Sequence, residues 1–180
     1  MRRCSSRRTR RSASDRASLA AAGHPDTLEI VTSPVTSILV LNGPNLGRLG
    51  SREPDVYGSG TLEDLGVALE ETLAPGFEMD LRQTNDEATL IGWLHEAVDS
   101  SSPVILNPAA FTHYSYALRD AASLVTKAGL LLVEVHLSNP HAREEFRHTS
   151  VISAIATGVI AGFGFDSYLL ALDLIQRRLG

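Results

Sequence analysis

Short, unbroken apolar runs that alternate with helical patterns constrain this chain most. Ile38-Leu39-Val40-Leu41, Pro103-Val104-Ile105-Leu106 and Leu130-Leu131-Leu132-Val133-Glu134-Val135 lack the polar alternation of a half-exposed strand. Such runs suit strands covered on both faces. Phe77 to Gln83 reads as a further strand by alternation, and Gly158-Val159-Ile160-Ala161-Gly162 as a fifth. Between them lie helical stretches. Thr61-Leu62-Glu63-Asp64 resembles a capping box, and Leu62, Leu65, Leu69 and Leu73 form one face until Pro75-Gly76 stops the helix. Asn85-Asp86-Glu87 caps a second helix with the face Leu90, Leu94, Ala97 and Val98. Ser115 to Val125 forms a third. Asp166 is expected to cap the last, Ser167 to Leu179, which carries Arg177 and Arg178 in its final turn as the helix dipole favours.

Strand–helix alternation with continuous apolar strands predicts a parallel sheet with helices on both faces. The expected fold class is α/β, a flavodoxin-like, doubly wound five-stranded parallel sheet of order 2-1-3-4-5. Ligands of such sheets bind outside the carboxyl ends of the strands, where the strand order switches. That rule selects Asn42 and Asn45 after the first strand, Asn107 to His113 after the third, and His136 to Asn139 after the fourth. The loop from Arg52 to Tyr57 is long enough to fold over them. Glycines 43, 47, 50 and 58 lead to the expectation that Gly47 to Gly58 is a mobile lid.

Charge is unevenly distributed. Residues 1–16 hold seven Arg against one Asp, while the remainder holds nine basic against twenty acidic residues. Residues 1–35 are expected to be a disordered Arg/Ser-rich tail and linker, and residues 36–180 the folded catalytic domain. The Arg-rich, acid-poor start resembles a transit peptide, but a dispensable tail or an upstream start codon accounts for it more simply. An acidic body disfavours a nucleic-acid groove. No apolar run of about 18 residues is present, so no membrane span is expected, and the expected location is cytoplasmic. The single cysteine, Cys4, excludes an internal disulfide framework and a cysteine-based zinc site.

The strand ends lack the glycine-rich phosphate cradles of nucleotide-binding motifs. Asn42 and Asn107 stand where a phosphoacceptor domain would need acidic residues. His136 and His141 have the wrong spacing for a metal pair on one helix face, so no metal is expected. What remains is a neutral-to-cationic set of Asn, His, Arg, Tyr and Ser. It suits a hydroxylated organic acid. A Tyr beside an Arg can act as a base and a His as a general acid. Those parts fit a proton-transfer lyase, and a non-catalytic pocket that binds a ring acid is the alternative from another class. On composition alone, Tyr57 reads more simply as a loop residue packed on the rim.

The motifs that carry these residues resemble the type II 3-dehydroquinate dehydratases of the shikimate pathway. They are Leu41-Asn42-Gly43-Pro44-Asn45-Leu46, Arg52-Glu53-Pro54-Asp55-Val56-Tyr57-Gly58, Asn107-Pro108-Ala109-Ala110-Phe111-Thr112-His113 and Ala117-Leu118-Arg119-Asp120-Ala121. Glu134-Val135-His136-Leu137-Ser138-Asn139, Ala142-Arg143-Glu144-Glu145-Phe146-Arg147 and Ala156-Thr157-Gly158-Val159-Ile160 complete the set, over about residues 36 to 180.

The resemblance implies a lyase that dehydrates 3-dehydroquinate to 3-dehydroshikimate by anti elimination through an enolate, in aromatic amino acid biosynthesis. It implies Tyr57 as base, Arg52 as its neighbouring arginine, His136 as general acid and Asn45 as the residue that helps hold the enolate. Asn107 with the backbone of Leu137 and Ser138 would take the substrate carboxylate, and His113, Asp120 and Arg147 the ring hydroxyls. Asp120 would come from a neighbouring subunit, since the family forms trimers assembled into homododecamers. No metal or organic cofactor is implied. Glu134 is a weaker candidate for orienting His136. The chain departs from the pattern by about three extra residues around Thr126-Lys127-Ala128-Gly129 and by Thr149 where a His is common.

Overall fold

The computed structural model describes residues 35–51 and 60–180. The expected tail 1–35 therefore lies outside the described residues except for its last position. Among the described residues five strands, β1 (Thr36–Asn42), β2 (Phe77–Gln83), β3 (Val104–Asn107), β4 (Leu132–His136) and β5 (Gly158–Ala161), alternate with four helices. The helices are α1 (Leu62–Glu70), α2 (Glu87–Asp99), α3 (Tyr116–Lys127) and α4 (Asp166–Leu179). All strand pairs are parallel, in the order β2-β1-β3-β4-β5. The sheet order matches the expectation from the sequence.

Residues of β1 divide strictly by parity between two cores. Ile38 and Val40 pack with Leu65 and Leu69 of α1 and with Tyr168, Ala171, Leu172 and Ile175 of α4. Leu39 and Leu41 pack with Leu90, Leu94 and Ala97 of α2 and with Leu118, Ala122 and Val125 of α3. Successive strand side chains point to opposite faces, so a continuous apolar run is what a two-sided sheet requires. Each fully buried leucine contributes roughly 1.5–3 kcal/mol of transfer free energy. Among the described residues, no helix is long and apolar enough to cross a membrane.

The helix starts follow local chemistry. Thr61 accepts from the Asp64 N–H while the Asp64 carboxylate accepts from the Thr61 N–H, a complete capping box. Asp86 caps α2 by accepting from the Thr89 N–H. The expected Asp166 cap does not form. Phe165 occupies the cap position with no side-chain bond, and Asp166 sits inside the first turn. A carboxylate there still faces the helix dipole favourably. The extra residues near 126–129 fall at the end of α3 and in the turn after it, far from the strand ends that matter below.

Two loops meet at the switch between β1 and β3. The Gly43 N–H donates to the Asn107 carbonyl at 2.8 Å. A Cβ at Gly43 would lie 2.6 Å from the Pro108 carbonyl oxygen, so only glycine allows this approach. The following residues are anchored rather than free. Leu46–Arg48 form a 3-10 turn, and Leu46 and Leu49 are buried in the core below it. Within the expected lid Gly47–Gly58, Leu49 is buried while Gly47, Arg48 and Ser51 are exposed; residues 52–59, with Arg52 and Tyr57, lie outside the described residues.

Candidate active site

The carboxyl ends of β1, β3 and β4 converge on a cavity of about 130 Å³. Asn45, Asn107, His113, His136, Leu137, Ser138, Arg143 and Arg147 are among its lining residues. Seven of the candidates expected from the sequence thus come together from four separate stretches: Asn45, Asn107, His113, His136, Leu137, Ser138 and Arg147. Asp120 does not join them; it is exposed on α3 and is absent from the residues that line this cavity. Arg143 was not singled out from the sequence, although it lies in a quoted motif. It lines the cavity within 3.5 Å of the Ser138 hydroxyl.

Backbone geometry aims the first two asparagines. Asn45 adopts a left-handed conformation, φ 68°, and its N–H donates to Asn85 Oδ1 at 2.8 Å. Asparagine tolerates that region better than most residues. Ala109 is also left-handed, φ 49°, which costs a non-glycine residue roughly 1–2 kcal/mol. Its N–H is held by Asn107 Oδ1 at 3.1 Å, which starts the 3-10 turn Ala109–His113.

His113 shares a 2.8 Å hydrogen bond through Nδ1 with the Thr149 carbonyl. A carbonyl only accepts, so Nδ1 carries the proton and Nε2 is left as an acceptor for a ligand hydroxyl. This bond uses the backbone of Thr149 rather than its side chain. Arg147 donates to the Glu144 carboxylate at 2.7 Å and lies over the Phe146 ring at 4.7 Å. The Arg147 hydrogen bond holds the Glu144 carboxyl down at about 2, so this exposed pair stays charged and steadies the guanidinium.

The strongest electrostatic feature is Glu134. It is two residues before His136 on β4, so both side chains leave the same face. The carboxylate is fully buried, and Oε1 lies 2.8 Å from His136 Nε2. Thr112 Oγ1 donates to it at 2.6 Å, Ser150 Oγ at 3.2 Å, and Ser153 Oγ adds another bond. Burial is the largest single influence and opposes ionisation. The His136 ring and the hydroxyls together outweigh it, and the carboxyl sits below its ordinary value. An ionised Glu134 can only accept, so Nε2 of His136 carries a proton and Nδ1 is the atom left for a ligand. A lone acid inside an apolar strand was the one sequence signal for this pair. The three hydroxyls gave none, because they come from distant segments.

An open parallel sheet whose strand ends carry a buried carboxylate–histidine pair, beside two arginines and oriented amides, defines a small-molecule site of the acid–base type. Among the described residues there is no group of three or more His, Cys, Asp or Glu that could hold a metal ion. The dehydroquinase class II family model matches residues 36–176. A 3-dehydroquinate dehydratase of Salinispora tropica is 57% identical over 142 residues, covering 78% of this chain and 97% of the relative. One from Mycobacteroides abscessus is 58% identical over 137 residues, covering 76% and 93%. The crystal structure of a type II dehydroquinase from Propionibacterium acnes superposes with a TM-score of 0.73 at 47% identity, covering 81% of this chain and 99% of that one. The chain belongs to the class II dehydroquinase family.

Proposed function

We propose that this chain removes water from 3-dehydroquinate to give 3-dehydroshikimate, as a lyase of the shikimate pathway, by anti elimination through an enolate. The observation that carries the reading is the His136–Glu134 pair at 2.8 Å beneath a cavity lined by arginine and amide groups. Binding alone needs no such pair. Elimination needs an acid whose cationic form is stabilised, and a buried carboxylate does that while fixing the ring.

The step balances without a redox partner. Tyr57 as phenolate takes a proton from the carbon next to the ketone, and the electron pair of that C–H bond becomes the enolate. Asn45 with a water molecule stabilises the developing oxyanion. The enolate then collapses, the C–O bond breaks, and His136 delivers a proton from Nδ1 so that hydroxide leaves as water. The neutral ring keeps its Nε2 proton on Glu134. Arg52 favours the phenolate form of Tyr57. The resemblance of Arg52-Glu53-Pro54-Asp55-Val56-Tyr57-Gly58 to the family motif supports these two assignments.

Asn107 with the Leu137 and Ser138 backbone takes the carboxylate, and His113 and Arg147 take ring hydroxyls. Asp120 acts from a neighbouring subunit in trimers that assemble into a dodecamer. Its exposure on α3 supports that role, because it has no place in its own chain's cavity. The catalytic unit is residues 36–180, working in the cytoplasm with no metal or organic cofactor required by the chemistry. The test is turnover of 3-dehydroquinate by the purified chain, followed by the ultraviolet absorbance of the conjugated product. Tyr57→Phe should lower it by about 10² to 10⁴ while folding persists. Retention of more than about a tenth of wild-type turnover would remove Tyr57 from the base role.

A further inference from the structure

Tyr168 projects from α4 into the sheet and is fully buried. Its ring belongs to the core shared by β1, α1 and α4, but its hydroxyl sits between the ends of two strands. Asn107 Nδ2 donates to the phenol oxygen at 2.7 Å, and the phenol O–H donates to Asn42 Oδ1 at 2.6 Å. Asn42 Nδ2 in turn donates to the Arg82 carbonyl at 3.1 Å and the Val40 carbonyl at 3.4 Å.

The direction of every proton in this chain is fixed from one end. Two backbone carbonyls accept only, so the Asn42 NH₂ must face them and its oxygen must face Tyr168. The single phenol proton is thereby committed to Asn42, and the phenol oxygen accepts from Asn107. Burial pushes the Tyr168 hydroxyl well above its ordinary value, so the proton is not lost to solvent. Flipping the Asn107 amide would turn its oxygen toward an oxygen with no proton to give, and its NH₂ toward the Ala109 N–H that Oδ1 now accepts. One N–H of Asn107 is used by Tyr168. The second has no partner among the described residues, and Asn107 lines the cavity.

We propose that Tyr168 is a positioning residue for anion recognition: with Asn42 it locks the Asn107 amide so that an N–H, and never the oxygen, is presented to the ligand carboxylate. This rests on the reading of Asn107 as a carboxylate-binding residue. Without the lock, the amide can present its oxygen to the anion, and the lost interaction is a hydrogen bond to a charged group.

Two variants test the proposal. Tyr168→Phe removes the relay oxygen. Asn42→Ala keeps the ring packed but frees the phenol proton to turn toward Asn107, and it decides the matter if Tyr168→Phe does not fold. Carboxylate binding is shared by ground and transition states, so both should raise KM for 3-dehydroquinate by about 10-fold with kcat held within about threefold. A second readout compares quinate with the matching ring polyol that lacks the carboxylate. The variants should cut the preference for quinate about 10-fold, whereas mere loosening of the fold weakens both probes alike. Unchanged KM and unchanged probe preference, or a fall in kcat alone, would overturn the proposal. If the wild type fails to turn over 3-dehydroquinate, the functional reading fails, and the probe preference still judges the relay.

Discussion

Glu134→Gln isolates the charge that the mechanism assigns to the buried carboxylate. Glutamine has the same size, so the cavity and core are preserved. The wild-type carboxylate accepts from His136 at 2.8 Å, Thr112 at 2.6 Å, Ser150 at 3.2 Å and Ser153. The amide offers one oxygen and turns an NH₂ toward hydroxyls that must reorient to accept it. A hydrogen bond to a charged partner is worth about 1.5–3 kcal/mol and a neutral one about 0.5–1.5 kcal/mol. The imidazolium therefore loses about 1–2 kcal/mol of support. At about 1.4 kcal/mol per tenfold, kcat should fall roughly 5- to 30-fold, with a smaller effect on KM. Stability should respond too. The folded Glu134 carboxyl is depressed, so its contribution is present above the ordinary carboxylate value of about 4.3 and is lost as pH falls through the lower folded value. The variant should lack that component of acid destabilisation. Steady-state rates across pH and melting curves between about pH 3 and 7 read both effects. A kcat within twofold of wild type would refute the assigned role.

Gly43→Ala should disturb the junction of the β1 and β3 loops, since its Cβ would lie 2.6 Å from the Pro108 carbonyl oxygen. A destabilisation of about 1–3 kcal/mol in denaturant melts is expected, with activity reduced alongside. A chain that starts at Pro34 should keep full turnover, because the described strands and cavity are built from residues after that point; a large loss would give the first residues a role in the site. Sedimentation should give a trimer or a multiple of three, and Asp120→Asn should raise KM in the assembled protein. A fully active monomer would contradict the shared site.

Much of the architecture was legible because the fold speaks through local signals. Continuous apolar runs marked strands with two covered faces, and the parity of Ile38, Leu39, Val40 and Leu41 is the physical form of that signal. Thr61 and Asp86 announced their helices through side chains that satisfy nearby N–H groups. Asp166 misled for the same reason. A capping-type residue beside a helix was read as the cap, while the tight Gly162–Gly164 turn, with both glycines at positive φ, delivers the chain one residue earlier. The site was legible where motifs gather at strand ends. It was illegible where function depends on side chains meeting across the fold. Thr112, Ser150 and Ser153 surround Glu134 from two separate loops, and Tyr168 reads as one more apolar position on α4 until its hydroxyl is seen between Asn42 and Asn107.

The central claim is dehydration of 3-dehydroquinate by a tyrosine base and a histidine acid acting from opposite faces of the ring. It is tested most directly with substrate that carries deuterium stereospecifically at one position of the carbon next to the ketone. The purified chain should form 3-dehydroshikimate, and mass spectrometry should find the label lost when it lies anti to the departing hydroxyl and kept when it lies syn. Absence of product, or loss of the syn label, would contradict the account.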